Sequence, residues 1–135
     1  MTVNSFITLS LSPLLVAFTV VHTARIKALI KATGGFVVNI LAADQIDLAR
    51  WFANRDRPAG AESFAGIAIA GAPSTGGVLI GDVIGHFTCE NNEFVDAGDH
   101  SIVIGSVMEC DVMGHGPQLL FTDGVFRPLQ FPPAQ

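Results

Sequence analysis

Short apolar runs separated by polar clusters set the rhythm of this chain. Leu14-Leu-Val-Ala-Phe-Thr-Val-Val21 is apolar throughout except at Thr19 and rich in β-branched residues, and Pro13 stands just before it, where a missing N–H costs least. It reads as a buried strand. From Thr23 the period lengthens: Ile26, Leu29, Ile30 and Thr33 fall on one helical face, the Thr23 hydroxyl is placed to cap the first turn, and Gly34-Gly35 ends it. Phe36 to Leu41 returns to strand. A second helix is predicted from Asp44, with Asp47 completing a variant capping box; it buries Leu48, Trp51 and Phe52 and fades at Asn54-Arg-Asp-Arg-Pro58.

Arg57 to Ser63 and Gly71 to Gly77 read as loops. Beyond them the pattern is nearly all strand. Val78 to Glu90 alternates, so Val83, Phe87 and Cys89 share one face and Ile84, His86 and Thr88 the other. Asn91-Asn92 suits a tight turn, and Ser101 to Cys110 predicts a further long strand. Gly114-His-Gly-Pro117 breaks the chain, and Leu119 to Phe121 and Val125 to Leu129 are short strands around Asp123-Gly124. The expectation is one domain over residues 1–135, mainly β with helical insertions. A small antiparallel barrel is economical, because closure removes exposed sheet edges.

Composition narrows the partners. The chain is 50% hydrophobic and only 14% charged, against roughly 25% charge in an average soluble domain, which predicts that part of its apolar surface is covered by another subunit. A net charge of −5 without clustered Lys and Arg argues against nucleic-acid binding. Met1 to Leu9 lacks the basic stretch of a secretory signal, and Ser10, Ser12 and Pro13 interrupt any membrane span. Cys89 and Cys110 have no metal-ligand spacing and fit a reducing cytoplasm as small core residues. No nucleophile elbow, phosphate loop, dinucleotide fingerprint or zinc-protease motif is present. His22, His86, His100 and His115 are too dispersed to predict a metal site.

Three stretches are more specific. They are Met-Thr-Val-Asn-Ser-Phe-Ile-Thr-Leu-Ser-Leu-Ser-Pro (Met1 to Pro13), Phe36-Val-Val-Asn-Ile-Leu-Ala-Ala-Asp-Gln45 and Gly98-Asp-His-Ser-Ile-Val-Ile-Gly105. In that order they resemble the flavin reductase family of the FMN-binding split barrel, over nearly the whole chain. The resemblance implies an antiparallel, Greek-key-like split barrel, N-terminally shortened, since Met1 falls where family members already have strands behind them. It implies NAD(P)H-dependent reduction of FMN or FAD by hydride transfer from nicotinamide C4 to flavin N5. It also implies a homodimer that supplies reduced flavin to a monooxygenase. The alternative is a non-catalytic dimeric split barrel, or a truncated fragment, that holds flavin or haem without oxidising NADH.

The same resemblance distributes roles. Thr2, Asn4, Ser5, Ser10, Leu11 and Ser12 lie in a segment that wraps the flavin in the family, and their hydroxyl and amide groups suit a polar ring edge. Thr23 and Arg25, at a helix start with unpaired N–H groups, are candidates for the flavin phosphate, although an ordinary capped helix has the same features. Asn39 needs hydrogen-bond partners if buried, either in a neighbouring loop or at the cofactor. Ala43, Asp44 and Gln45 resemble the loop at the flavin pyrimidine edge, and Phe64 the Phe that ends the family's mobile loop near the cofactor. His100 resembles the His on the nicotinamide side, with Asp99 orienting it. Phe126 and Arg127 resemble a closing strand and are candidates for nicotinamide stacking and pyrophosphate contact.

Overall fold

The computed structural model describes residues 1–72 and 75–130. Nine strands and two α-helices follow in the order β1 (Ile7–Leu11), β2 (Leu14–Val21), α1 (Arg25–Thr33), β3 (Gly35–Ile40), α2 (Ile46–Ala53), β4 (Ile69–Ala72), β5 (Gly77–Ile80), β6 (Gly85–Ala97), β7 (His100–Val112), β8 (Leu119–Thr122) and β9 (Val125–Pro128) among the described residues. A short 3₁₀ turn covers Gly60–Phe64. Five strands form one antiparallel sheet in the order β1-β2-β7-β6-β3, and β4–β5 and β8–β9 are separate hairpins. The predicted mainly β chain with two helices is what is found.

The core explains the order. Val16, Phe18, Val20, Ile30, Phe36, Cys89 and Val103 form one buried cluster between the sheet and α1. β2 is the apolar run predicted from the sequence, and it is an interior strand, paired on both sides: Ile7↔Ala17 with β1, and Leu15↔Ser106 through Val21↔His100 with β7. On β7, Ser101, Val103 and Gly105 are buried, while Ile102 and Ile104 between them are only half-buried, the two-residue alternation of a sheet with one packed face. Phe36 points its ring edge at Phe18, with centroids 5.1 Å apart at 79°.

Several local expectations are corrected. α1 begins at Arg25, with Ala24 at the N-cap position and no side-chain cap; the Ala24 N–H is taken by Val21 O instead, so Thr23 stays in the preceding turn. Only Ile26 and Ile30 of the predicted face pack inward, and Leu29 is 58% exposed. Gly34 does end the helix in the left-handed region at φ 76°, its N–H on Ile30 O. α2 begins at Ile46 rather than Asp44, because Gln45 rather than Asp44 organises the approach: its Oε1 accepts the Ala42 N–H at 2.9 Å and its Nε2 donates to Gly81 O at 3.0 Å. Ala49 and Phe52 are its buried residues, while Trp51 is at the surface with its indole N–H on Ser63 O at 2.8 Å.

The long strand expected over Val78 to Glu90 is two strands, broken at Gly81-Asp82, where Asp82 takes φ 59°. Asn91-Asn92 is not a turn. β6 runs through it with a register shift between Glu90 and Glu93, and the hairpin closes at Gly98-Asp99, with Gly98 at φ 60°. The loop expected over Gly71 to Gly77 is the tip of the β4–β5 hairpin, with residues 73 and 74 outside the described residues. Cys89 is a core residue as expected, but Cys110 is exposed on β7.

Candidate functional site

A pocket of about 460 Å³ opens where the chain leading into β1, the end of β2, the start of α1, the end of α2 and the first residue of β7 meet. That is within the roughly 300–1,000 Å³ usual for a small-molecule site. Six sequence-predicted residues line it: Thr2, Asn4, Ser5, Thr23, Arg25 and His100. Two of the hydroxyls also hold its wall together. Thr2 Oγ1 donates to Ala49 O at 2.6 Å, tying the leading segment to α2. Ser5 Oγ accepts the backbone N–H and the hydroxyl of Thr19 at 2.9 and 3.0 Å, tying it to β2.

His100 reaches the pocket from the β6–β7 turn. Its Nδ1 lies 2.7 Å from Asp99 Oδ1. An ionised carboxylate only accepts, so Nδ1 carries the proton and Nε2 is left for the pocket. The bond from His100, and then its charge, hold the Asp99 carboxyl below its ordinary 3.8. Behind the turn is a polar cluster that sequence reading did not anticipate. Lys27 Nζ donates to Ser101 Oγ at 2.7 Å and to His22 Nδ1 at 3.1 Å, and Ser101 Oγ donates to Asp96 Oδ1 at 2.6 Å. Because the lysine ammonium has only donors, His22 Nδ1 is the acceptor and its Nε2–H points at Gly98 O, 2.9 Å away. The His22 backbone N–H donates to Asp99 O at 3.1 Å. The carbonyls of Gly98 and Asp99 are both clamped, which fixes the residue that follows them.

The same pocket has a cationic lining. Arg25, Arg55 and Arg57 line it, and no carboxylate does. Arg25 Nη2 donates to the carbonyls of Arg55 and Arg57, each at 3.3 Å, and so fastens α1 to the chain after α2. Arg57 lies over the Phe52 ring at 5.4 Å and donates from Nη1 to Asn54 O at 2.9 Å. Burial, and then Arg25, lower its affinity for its proton. Arg55 and Arg57 were missed because Asn54-Arg-Asp-Arg-Pro58 reads as a fading helix end; the visible signal was a pair of arginines in a chain with seven basic residues.

The remaining candidates lie elsewhere. Ser10, Leu11 and Ser12 are at the β1–β2 turn, at the other end of the hairpin from the pocket, with Leu11 86% exposed. Asn39 Nδ2 donates to Val78 O at 3.0 Å and its Oδ1 accepts the Ile80 N–H at 2.9 Å, so it binds β5 to β3. Ala43 and Asp44 sit in a loop tied to the approach to β8, through the Ala43 N–H on Pro117 O at 3.0 Å and a bridge between Ala42 and Gln118. Gln45 is engaged as described. Phe126 packs on Phe121 at 4.9 Å, and Arg127 is exposed on β9. Phe64 packs on Phe52 at 5.4 Å, behind the pocket wall. Among the described residues, no three His, Cys, Asp or Glu converge as metal ligands.

Three guanidinium groups and no carboxylate among the lining residues suit a ligand that carries an anionic group, and the hydroxyl and amide side chains of the same lining suit one that also hydrogen-bonds. A phosphorylated flavin has both features. Residues 1–130 match the model of the flavin reductase like domain. The chain is 34% identical over 127 residues to the NADH-dependent FAD reductase of Streptomyces globisporus, covering 94% of this chain and 70% of that one. It is 36% identical over 134 residues to the NADH-dependent FMN reductase AsuE2 of Streptomyces nodosus subsp. asukaensis, covering 97% and 71%. Among solved structures it is similar to BorF, the flavin reductase component of a bacterial two-component tryptophan halogenase, with a TM-score of 0.90 and 34% identity over 98% of this chain and 82% of that one.

Proposed function

The chain belongs to the flavin reductase-like family, and from that premise we propose an NAD(P)H-dependent flavin reductase whose site is the pocket lined by His100 and the arginines. FMN or FAD, held by the residues that line this pocket, would supply a hydride acceptor at N5 for nicotinamide C4. What the chain supplies is alignment of the two rings and exclusion of water, so no side chain has to donate or remove a proton. His100 holds the nicotinamide. The bond from its Nδ1–H to Asp99 keeps the ring oriented, and the clamp on Gly98 and Asp99 keeps it in place. Thr2, Asn4, Ser5, Thr23 and Arg25 bind the flavin in this pocket. Ser10, Leu11, Ser12, Asn39, Ala43, Asp44, Gln45, Phe64, Phe126 and Arg127 are assigned to flavin or nicotinamide contacts by family resemblance alone.

The observation that carries the reading is that His100 and three arginines line one pocket with no carboxylate among its lining residues. Reduced flavin would pass to a separate flavin-dependent monooxygenase; this chain is 30% identical to the reductase component of the 4-hydroxyphenylacetate 3-monooxygenase of Thermus thermophilus. A homodimer of one-domain chains is supported by exposed apolar residues on β1 and β7, Leu11 at 86%, Val112 at 73% and Met108 at 57%. A cytoplasmic setting is supported by two free cysteines and by the use of reduced pyridine nucleotide. The test is NADH oxidation followed by absorbance with FMN or FAD added. We expect flavin-dependent oxidation by the wild type, and for His100→Ala a KM for NADH raised about ten-fold, with flavin still bound. Flavin binding without NADH oxidation by the wild type would establish the non-catalytic alternative instead.

A further inference from the structure

His22 bonds in two directions at once, and only its neutral form satisfies both. Its backbone N–H and its Nε2–H hold the carbonyls of Asp99 and Gly98, the two residues that precede His100. Its Nδ1 lies 3.1 Å from Lys27 Nζ and 3.1 Å from Ser101 Oγ. The Ser101 hydroxyl has a single proton, and at 2.6 Å that proton belongs to Asp96 Oδ1. Lys27 therefore supplies the hydrogen that Nδ1 accepts, with another for Ser101 Oγ at 2.7 Å. This set of bonds is closed only while His22 Nδ1 keeps its lone pair.

A proton on Nδ1 reverses that contact. An N–H then faces an ammonium 3.1 Å away, so a hydrogen bond is lost and a like charge is met in one step. The surrounding charges decide which way the ring responds. Lys27, on α1, is 15% exposed, whereas Asp96, on β6, lies 3.8 Å from Nδ1 and is 75% exposed. The repulsion acts at the shorter distance and in the drier medium, and water screens the attraction. In the turn, the exposed Asp99 carboxylate is engaged by His100, at the start of β7, at 2.7 Å. Arg25, also on α1, is turned away to the carbonyls of Arg55 and Arg57.

We propose that His22 is a proton-controlled positioning residue: neutral, it fixes the turn that presents His100 to the pocket, and protonated, it lets that turn loosen and so weakens capture of the reduced nicotinamide. His22 does not itself line the pocket, so its effect falls on nucleotide binding and not on hydride transfer. The inference rests on the flavin reductase reading for that kinetic consequence; the proton-dependent clamp is a property of the β6–β7 turn.

Two readouts on the full chain test it, one of them independent of activity. Imidazole nitrogen NMR at about pH 8, where histidines are mostly neutral, should show His22 as the Nε2–H tautomer. From there to about pH 5, the range in which imidazoles titrate, protection of the His22 amide against hydrogen exchange, corrected for its intrinsic rate, should fall about five-fold. His22→Gln puts an amide N–H in place of Nε2–H and does not titrate, so protection at position 22 should stay nearly constant. In NADH oxidation with added flavin over the same range, KM for NADH should rise about five-fold more in the wild type than in His22→Gln, the effect of one hydrogen bond, with kcat moving alike in both. Titration of His100 is common to the two proteins and drops out of the comparison. His22→Ala should show the raised KM throughout. An Nδ1–H tautomer at the upper end of the range, or profiles of KM and amide protection that coincide in wild type and His22→Gln, overturn the proposal. A wild type with the expected tautomer and acid-dependent amide exchange that oxidises no NADH overturns the reductase reading alone.

Discussion

Gly105→Ala tests the packing that places the site. Gly105 lies opposite Val16 in the β2–β7 pair, in the middle of the strand that begins with His100. A Cβ there would stand 2.5 Å from Phe36 Cζ, 2.7 Å from Cε1 and 3.0 Å from Cys89 Cβ. Ordinary carbon contacts begin near 3.5 Å, so the overlap with the ring is about 1 Å. The Phe36 ring has nowhere to go, because it is 6% exposed and packed edge-on against Phe18. Overpacking of this kind costs roughly 1–3 kcal/mol. Replacing Gly in a strand returns about 0.5–1 kcal/mol of backbone entropy, which leaves a net loss of about 1–2 kcal/mol. With a urea slope of about 1–3 kcal/mol per molar, the unfolding midpoint should fall by roughly 1 M at fixed protein concentration. Phe36→Leu removes the atoms in conflict, so the double variant should be more stable than the sum of the two losses by about 1 kcal/mol. A Gly105→Ala protein as stable as the wild type, or strictly additive losses in the double variant, would refute the packing account.

Two further predictions concern the turn that carries His100. Lys27→Met removes the ammonium that bonds Ser101 Oγ and His22 Nδ1; we expect KM for NADH to rise about five-fold with kcat nearly unchanged, the effect of one charge-assisted bond on a positioning element. Steady-state kinetics check this, and a kcat loss with constant KM would place the cluster elsewhere in the reaction. The Asp96 carboxyl is held below its ordinary 3.8, first by the Ser101 hydroxyl and then by Lys27. A depressed carboxyl contributes stability that is fully present above its unfolded value and is lost as pH falls through the folded value. The urea midpoint should therefore decline below about pH 4, and Asp96→Asn should flatten that decline while leaving its shape above pH 5 unchanged.

How far the sequence could be read follows from the range of the forces involved. β2, α1, β3 and β7–β9 were visible because their apolar period and their Gly punctuation are local, whereas β6 was visible only in its first half and fused to β5. The errors sit where a distant partner decides. Gln45, not Asp44, sets the start of α2, because its amide reaches Gly81 on another hairpin. Asn91-Asn92 failed to turn because β7 supplied a continuous partner on the far side, and the polar pair was absorbed as a bulge. Thr23 failed to cap because Val21 O already takes the Ala24 N–H, and the helix starts one residue later.

The candidate site divides along the same line. Thr2, Asn4, Ser5, Thr23, Arg25 and His100 belong to stretches with a recognisable local pattern, and the fold brings those six to one pocket. Lys27, Ser101, Asp96 and Arg57 have no local signature, since a Lys on a helix, a Ser in a strand and an Arg after a helix are ordinary surface residues in sequence. Their roles appear only through separation: Lys27 meets Ser101 across 74 positions and Arg25 meets the Arg57 carbonyl across 32. Family resemblance points to residues that touch ligand, because those recur in a pattern. Residues that hold the ligand-contacting groups in place answer to packing in one particular chain. In this chain they include His22, just after β2, which clamps Gly98 and Asp99, and Lys27 on α1, which holds His22, so a substitution at Lys27 should reach the chemistry through the position of a neighbour.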